Sequence, residues 1–205
     1  MTNGMKTNRR FGTQGFSLLE MLLVIAITIT LAGMAIISIN GTLPQQQATA
    51  GMDSAMDVFR QGRDMAISQR RYYQLNSGGS LATNQLQLQR VEINGSFTAL
   101  PVMTLPSPAQ FGLDSGVTDT PDGFCGTPPA NGLCLGSTAT QQWLSDGTFA
   151  NTAGQPQNAT VFVHIPTSSG AQRAFTVLGT TGRIRAYKWI CPTPPASPTG
   201  CWVLQ

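Results

Sequence analysis

Residues 16–39 read Phe-Ser-Leu-Leu-Glu-Met-Leu-Leu-Val-Ile-Ala-Ile-Thr-Ile-Thr-Leu-Ala-Gly-Met-Ala-Ile-Ile-Ser-Ile, with Glu20 as the only charge. As a helix rising about 1.5 Å per residue, this stretch would span about 36 Å, enough for a hydrocarbon core of about 30 Å with some tilt. The segment is therefore expected to cross a membrane. Glu20 is its anomaly, because a carboxylate costs about 2.5–3.5 kcal/mol at mid-helix and less near the end. No cation lies among Leu18, Leu19, Met21, Leu22, Leu23, Val24, Ile25, Ile27 and Ile29. Its partner must come from another chain or from a newly made α-amino group.

A basic leader precedes the segment. Of the 12 Lys and Arg in the 205 residues, Lys6, Arg9 and Arg10 fall before residue 16, where no Asp or Glu occurs. The remaining nine balance the 9 acidic side chains, so the formal +3 is wholly N-terminal. Cationic flanks stay on the cytoplasmic side, which puts everything after residue 40 outside. A cleaved secretory signal fits poorly: its apolar stretch runs about 7–15 residues, and Ser38-Ile39-Asn40-Gly41 lacks a small-x-small site. With 41% hydrophobic and only 10% charged residues, the chain suits one globular domain and not a disordered polyampholyte.

Gly15-Phe16-Ser17-Leu18-Leu19-Glu20-Met21-Leu22-Leu23-Val24-Ile25-Ala26-Ile27 resembles the processing site of type IV prepilins and type II secretion pseudopilins. The resemblance implies cleavage by a membrane prepilin peptidase between Gly15 and Phe16, followed by N-methylation of Phe16. It further implies that Glu20 pairs with the terminal amine of a neighbouring subunit during filament assembly. The leader would be residues 1–15 and the transmembrane helix 16–39.

Asn40-Gly41-Thr42-Leu43-Pro44 interrupts helical propensity, and Pro44 removes a donor, so a kink or short break is expected there. Residues 40–71 then continue as an amphipathic helix. Met52, Ala55, Met56, Phe59, Ala66 and Ile67 recur near 3.6 spacing, opposite a polar face that includes Asp53, Asp57, Arg60 and Arg63. Asp57 is placed to pair with Arg60.

After Arg71 the pattern shortens. Strands are expected at Tyr72–Asn76, Gln85–Ile93, Phe97–Met103, Thr160–Ile165, Arg173–Leu178 and Arg183–Ile190, separated by Gly, Pro, Asn and Ser clusters. Apolar parity slips between Leu88 and Val91, which predicts a bulge near Gln89 and Arg90. Leu178-Gly179-Thr180-Thr181-Gly182-Arg183 reads as a hairpin loop. The fold class is thus α+β, a long helix laid on antiparallel sheet in a domain over 72–205. Between Leu100 and Gln157, rich in Pro and Gly, no sustained periodicity is visible.

Cys125, Cys134, Cys191 and Cys201 form an even set in a domain expected to be exported, which reads as disulfides with three possible connectivities. Pairing Cys125 with Cys134 and Cys191 with Cys201 is favoured because each pair closes a loop with little else to order it. Such loops predict about 2.5–3 kcal/mol each. The loop Pro192–Gly200 also resembles the disulfide-bounded region near the end of many pilins.

No metal, cofactor or catalytic group is expected. The cysteine spacing is not C-x2-C, and His164 is the only histidine. Alternation in Val161-Phe162-Val163-His164-Ile165 places His164 on a sheet surface, and no nucleophile motif accompanies it. Ser145-Asp146-Gly147-Thr148 reads as an Asx turn.

In Gly182-Arg183-Ile184-Arg185-Ala186-Tyr187-Lys188-Trp189, a strand would put Arg183, Arg185, Tyr187 and Trp189 on one face. That face is either solvated or able to hold phosphates and stack bases. Ser145-Asp146-Gly147, Val161–Ile165 and Thr180–Arg185 resemble the GspH/FimT group of minor pseudopilins and minor pilins. The resemblance implies a structural subunit that primes or caps a filament. It implies as an alternative a DNA receptor for transformation, because Gly182, Arg183 and Arg185 match the Gly-Arg-x-Arg element used by some FimT-like members. Zero net charge after residue 15 weighs against the alternative. The expected partners are prepilin peptidase, other pilins or pseudopilins, the inner membrane and possible DNA, with the carboxyl-terminal domain in the periplasm.

Overall fold

The computed structural model describes residues 16–78, 81–136, 140–191 and 200–205, with backbone alone for helix residues 35–41. The leader with Gly15, and all of the loop Pro192–Gly200 except Gly200, lie outside the described residues. The chain divides into two units, Met1–Gly41 and Thr42–Gln205. Among the described residues no helix is long and apolar enough to cross a membrane.

Helix α1 covers Leu18–Gln69 and contains Pro44. The break expected at 40–44 is therefore not formed. Proline gives up a single ladder hydrogen bond, and Gln45, Gln46, Gln47 and Ala48 beyond it are good helix formers. The helix stops at Gln69, where Arg70 adopts a left-handed φ of 51°.

In the second unit the helix buries Ala48, Met52, Ala55, Met56, Val58, Phe59 and Ala66. The 3.6-residue spacing accounts for most of this face, but Ile67 is exposed and lies instead over the turn at Gly147. Asp57 and Arg60 pair at 3.1 Å on the solvent side. Gly62 brings the helix close to the sheet, since a Cβ there would stand 2.8 Å from the Trp143 ring.

Strands β1 (Tyr72–Asn76), β2 (Gln85–Val91) and β3 (Phe97–Thr104) form an antiparallel meander. Short β4 (Gln110–Phe111), β5 (Leu133–Cys134), β6 (Gln141–Trp143) and β7 (Phe149–Asn151) follow, inside the stretch where periodicity gave no sign of them. Then come β8 (Ala159–His164), β9 (Gln172–Leu178), β10 (Arg183–Trp189) and β11 (Trp202–Leu204). They make two sheets, where the sequence suggested one: β3-β2-β1-β6-β7, and β11-β10-β9-β8-β4 with β5 also on β8.

The expected bulge exists but on the other strand. Gln87 opposes Val102 and Gln89 opposes Ala99, so Leu100 and Pro101 share the place opposite Leu88. Pro101, with no N–H, is suited to the irregular position. Gln87 Nε2 donates to the Leu100 carbonyl there at 2.8 Å.

The core lies between helix and sheets. The Phe59 ring meets Phe149 of the first sheet at 5.9 Å and Phe175 of the second at 5.0 Å, edge-on to the latter. One helical side chain thus joins both sheets. Arg173, 2% exposed, reaches back from β9 to the Gln45 carbonyl at 3.0 Å and to Thr49 Oγ1 at 3.0 Å. Burial pulls its pKa down while Asp53 pushes it up.

Candidate functional site

Two regions draw together the residues singled out by the sequence. The first is the start of α1. Large apolar side chains from Phe16 to Met34 are all exposed, Leu18 at 83% and Met34 at 70%. Thr28 Oγ1 donates to the Ile25 carbonyl at 2.9 Å and Thr30 Oγ1 to the Ile27 carbonyl at 2.8 Å. The hydroxyls are therefore satisfied within the helix, as an apolar environment requires. Glu20 stands exposed in the first turn with no ion pair among the described residues.

The second region is the outer face of the second sheet. Cross-strand register sets its rows. Thr160, Thr176 and Arg185 oppose one another, then Phe162, Ala174, Tyr187 and Leu204. His164 and Gln172 form a third row, in line with Trp189 and its partner Trp202. Alternation does put Arg183, Arg185, Tyr187 and Trp189 on one side, but their exposure differs: both arginines are exposed, whereas Tyr187 and Trp189 are buried at 4% and 1%. The Trp189 ring packs edge-on to Trp202 at 5.1 Å. Neither aromatic ring is available to stack on a base.

The segment between β4 and β5 is what covers them. Its aspartates act as fasteners. Asp114 Oδ1 lies 2.9 Å from His164 Nδ1, and Asp114 Oδ2 accepts from the Gly170 amide at 3.2 Å. Asp119 Oδ2 accepts from the amides of Cys125 and Gly126 at 2.7 and 2.8 Å. Asp122 accepts from Thr176 Oγ1 at 2.6 Å and from Arg185 Nη1 at 2.7 Å. Burial works to raise the Asp122 pKa, yet hydrogen bonds from Thr176, Tyr187 and Arg185 together hold it below the ordinary carboxylate value. Trp202 Nε1 donates to the Thr118 carbonyl at 2.9 Å, and the Cys125–Cys134 disulfide closes the end of the segment. Cys191 and Cys201 form the second disulfide, so the local pairing is the one adopted.

His164 is consequently not on an open sheet surface. It is half-buried under the cover, and its face, with Phe162 fully buried, belongs to a second core. Among the described residues no three potential metal ligands gather. The aspartates were invisible as fasteners in the sequence: three acids in a Gly- and Pro-rich loop are an available signal, but nothing local says which strand they reach.

Gly182 of the Gly-Arg-x-Arg element has a packing role. Its φ is +65°, and a Cβ there would fall 2.6 Å from both Arg63 Nε and the Gly147 carbonyl oxygen. Arg63 donates to that carbonyl at 3.3 Å and to the Thr181 carbonyl at 3.1 Å, fastening both hairpin loops to the helix. The turn at Gly147 is itself set by Asp146 Oδ1, which accepts from the Thr148 amide at 2.9 Å as an Asx turn does.

The second unit is an α+β domain on the carboxyl-terminal half of a helix whose amino-terminal residues expose an apolar surface. The chain is similar in structure to the minor pseudopilin EpsH from the Type 2 Secretion System of Vibrio cholerae, with 12% identity, a TM-score of 0.45 and coverage of 69% of this chain and 97% of that one. It is also similar to the type IV minor pilin FimU of Pseudomonas aeruginosa, with 16% identity, a TM-score of 0.42 and coverage of 67% and 90%. No family model and no curated protein matches the sequence.

Proposed function

We propose that this chain is a minor pilin or pseudopilin of the GspH/FimT type, a structural subunit rather than an enzyme, which primes or caps a type II secretion pseudopilus or a type IV pilus. The observation that carries the reading is the exposed apolar surface from Phe16 to Met34, with the Thr28 and Thr30 hydroxyls satisfied internally and an acid, Glu20, in its first turn that has no ion pair among the described residues. Lipid would cover that surface before assembly, and neighbouring helices would cover it afterwards. Glu20 would then meet the α-amine of an adjacent subunit, a charge pair that an apolar surrounding strengthens.

The rest of the life cycle follows from the leader. Lys6, Arg9 and Arg10 would hold residues 1–15 in the cytoplasm, with 16–39 in the inner membrane and 72–205 in the periplasm, where disulfides persist. Prepilin peptidase would cut between Gly15 and Phe16 and methylate Phe16. A DNA receptor is the weaker reading, because Arg185 is engaged by Asp122 and both aromatic neighbours are buried, leaving Arg183 as the exposed guanidinium of the element with no ion pair among the described residues.

Co-expression with a prepilin peptidase tests the reading. The parent precursor should shorten by its leader, and Gly15→Val should remain full length. Unchanged cleavage of Gly15→Val at that bond would remove the premise.

A further inference from the structure

The outer face of the first sheet has no part in assembly as described above, yet its composition is unusual. Register places Tyr72, Val91 and Phe97 in one row and Gln142, Gln74, Gln89 and Ala99 in the next. Rows on one face lie about 7 Å apart along a strand, and strands about 4.8 Å apart. No Asp, Glu, Lys or Arg stands in either row. Tyr72 and Phe97 are 46% and 55% exposed. Gln74 and Gln89 are half-buried, and their side-chain amides make no hydrogen bond among the described residues beyond the backbone ladder, so each keeps a donor and an acceptor.

A cleft of about 360 Å³ opens at the aromatic end, lined by Tyr72, Val91, Ile93, Arg70 and Arg71. Glu92, also at its wall, is already held by Arg90 at 2.6 Å and by Thr98 Oγ1 at 2.7 Å. Arg70 and Arg71 make no close ion pair among the described residues, although the Arg71 charge also acts on Glu92 and helps to hold that carboxyl below its ordinary value. The cleft therefore sets two arginines against one carboxylate, a net positive lining beside exposed apolar surface, and the amide row continues from it along the sheet.

We propose that this face binds an acidic polysaccharide, a hydroxyl-rich chain carrying carboxylates of the uronic-acid class. Hydroxyls donate and accept, as the side-chain amides of Gln74 and Gln89 do. The apolar C–H face of a pyranose ring fits against Tyr72 or Phe97, and a sugar carboxylate meets Arg70 or Arg71. Nucleic acid fits less well, since a phosphate for each nucleotide would lie over amide rows that contain no cation. A protein partner would have to bring an equally uncharged surface.

The full-length chain in a zwitterionic detergent without a sugar headgroup, titrated calorimetrically with oligogalacturonate and with neutral cello-oligosaccharide, tests this. Oligogalacturonate should bind saturably and more tightly than the neutral probe. Tyr72→Ala and Arg71→Ala should each weaken it about tenfold, and Tyr72→Ala, at an exposed side chain, should leave the thermal unfolding midpoint unchanged. Absence of saturable binding, equal affinity for the neutral probe, or affinity unmoved by both substitutions would overturn the proposal. So would sedimentation showing a second copy seated on the face, with Tyr72→Ala dissociating it.

Discussion

Arg185 Nη1 donates to Asp122 Oδ1 at 2.7 Å, joining β10 to a segment 63 positions earlier in the chain. The same carboxylate accepts from Thr176 on the neighbouring strand. The contact turns an element that reads in isolation as a basic face into the fastening of a cover over Tyr187, Trp189 and Trp202.

The fastening makes stability sensitive to acid. The folded Asp122 carboxyl titrates below its unfolded value, so its contribution is full above about pH 4 and fades as pH falls through the lower folded value. Asp122→Asn should lower the unfolding midpoint at neutral pH and flatten its decline below about pH 4. A variant that declines as steeply as the parent would show that the carboxylate is not holding the cover.

Gly182→Ala should destabilise the domain by about 1–3 kcal/mol, because the residue holds a left-handed φ of +65° with Arg63 and the Gly147 carbonyl against it. Urea unfolding measures this directly. An unchanged midpoint would mean that the glycine is not required by packing, and its place beside Arg183 would then need another reason.

Replacing Cys191 and Cys201 together by Ser should cost about 2–5 kcal/mol, since the bridge anchors β11 and Cys201 is fully buried beside Trp202. Reductant should bring the parent toward the variant in the same unfolding assay. Equal stability of parent and variant without reductant would contradict the anchoring.

If Glu20 serves assembly as proposed, Glu20→Ala should leave leader cleavage intact, since Gly15 and Phe16 are spared, and remove the subunit from sheared filaments, since the neighbour's amine would lose its partner. Immunoblots of the sheared and membrane fractions separate the two effects. Normal recovery of the variant in filaments would contradict the assembly role.

Much of this arrangement was legible in residue order. Two-residue alternation located β1 to its ends and six strands in all, and the 3.6-residue period found the buried face from Met52 to Ala66. Both signals are local and come from one buried side. Strands β4 to β7 are two or three residues long, too short to show alternation; β4, β5 and β6 are held by long-range pairing, and β7 by its hairpin with β6. Exposure of the Arg183 to Trp189 face failed for a related reason. Alternation says which side chains share a face, but Tyr187 and Trp189 are buried by Trp202 on the next strand and by the cover that includes Val117, while Arg185 is held by Asp122 of that cover. The bulge lies on β3 and not near Gln89 and Arg90 because β2 keeps its alternation: Leu88 is buried, and the apolar Val91 that suggested a slip stands on the outer face opposite Tyr72.

The most direct measurement is the intact mass and amino-terminal fragmentation of the chain extracted from the membrane of its host. The chain should begin at N-methylated Phe16, lack the 15-residue leader and carry two disulfides. A chain that begins at Met1, or one cut beyond Ile39 so that Glu20 and the apolar segment are lost, would contradict the proposed processing.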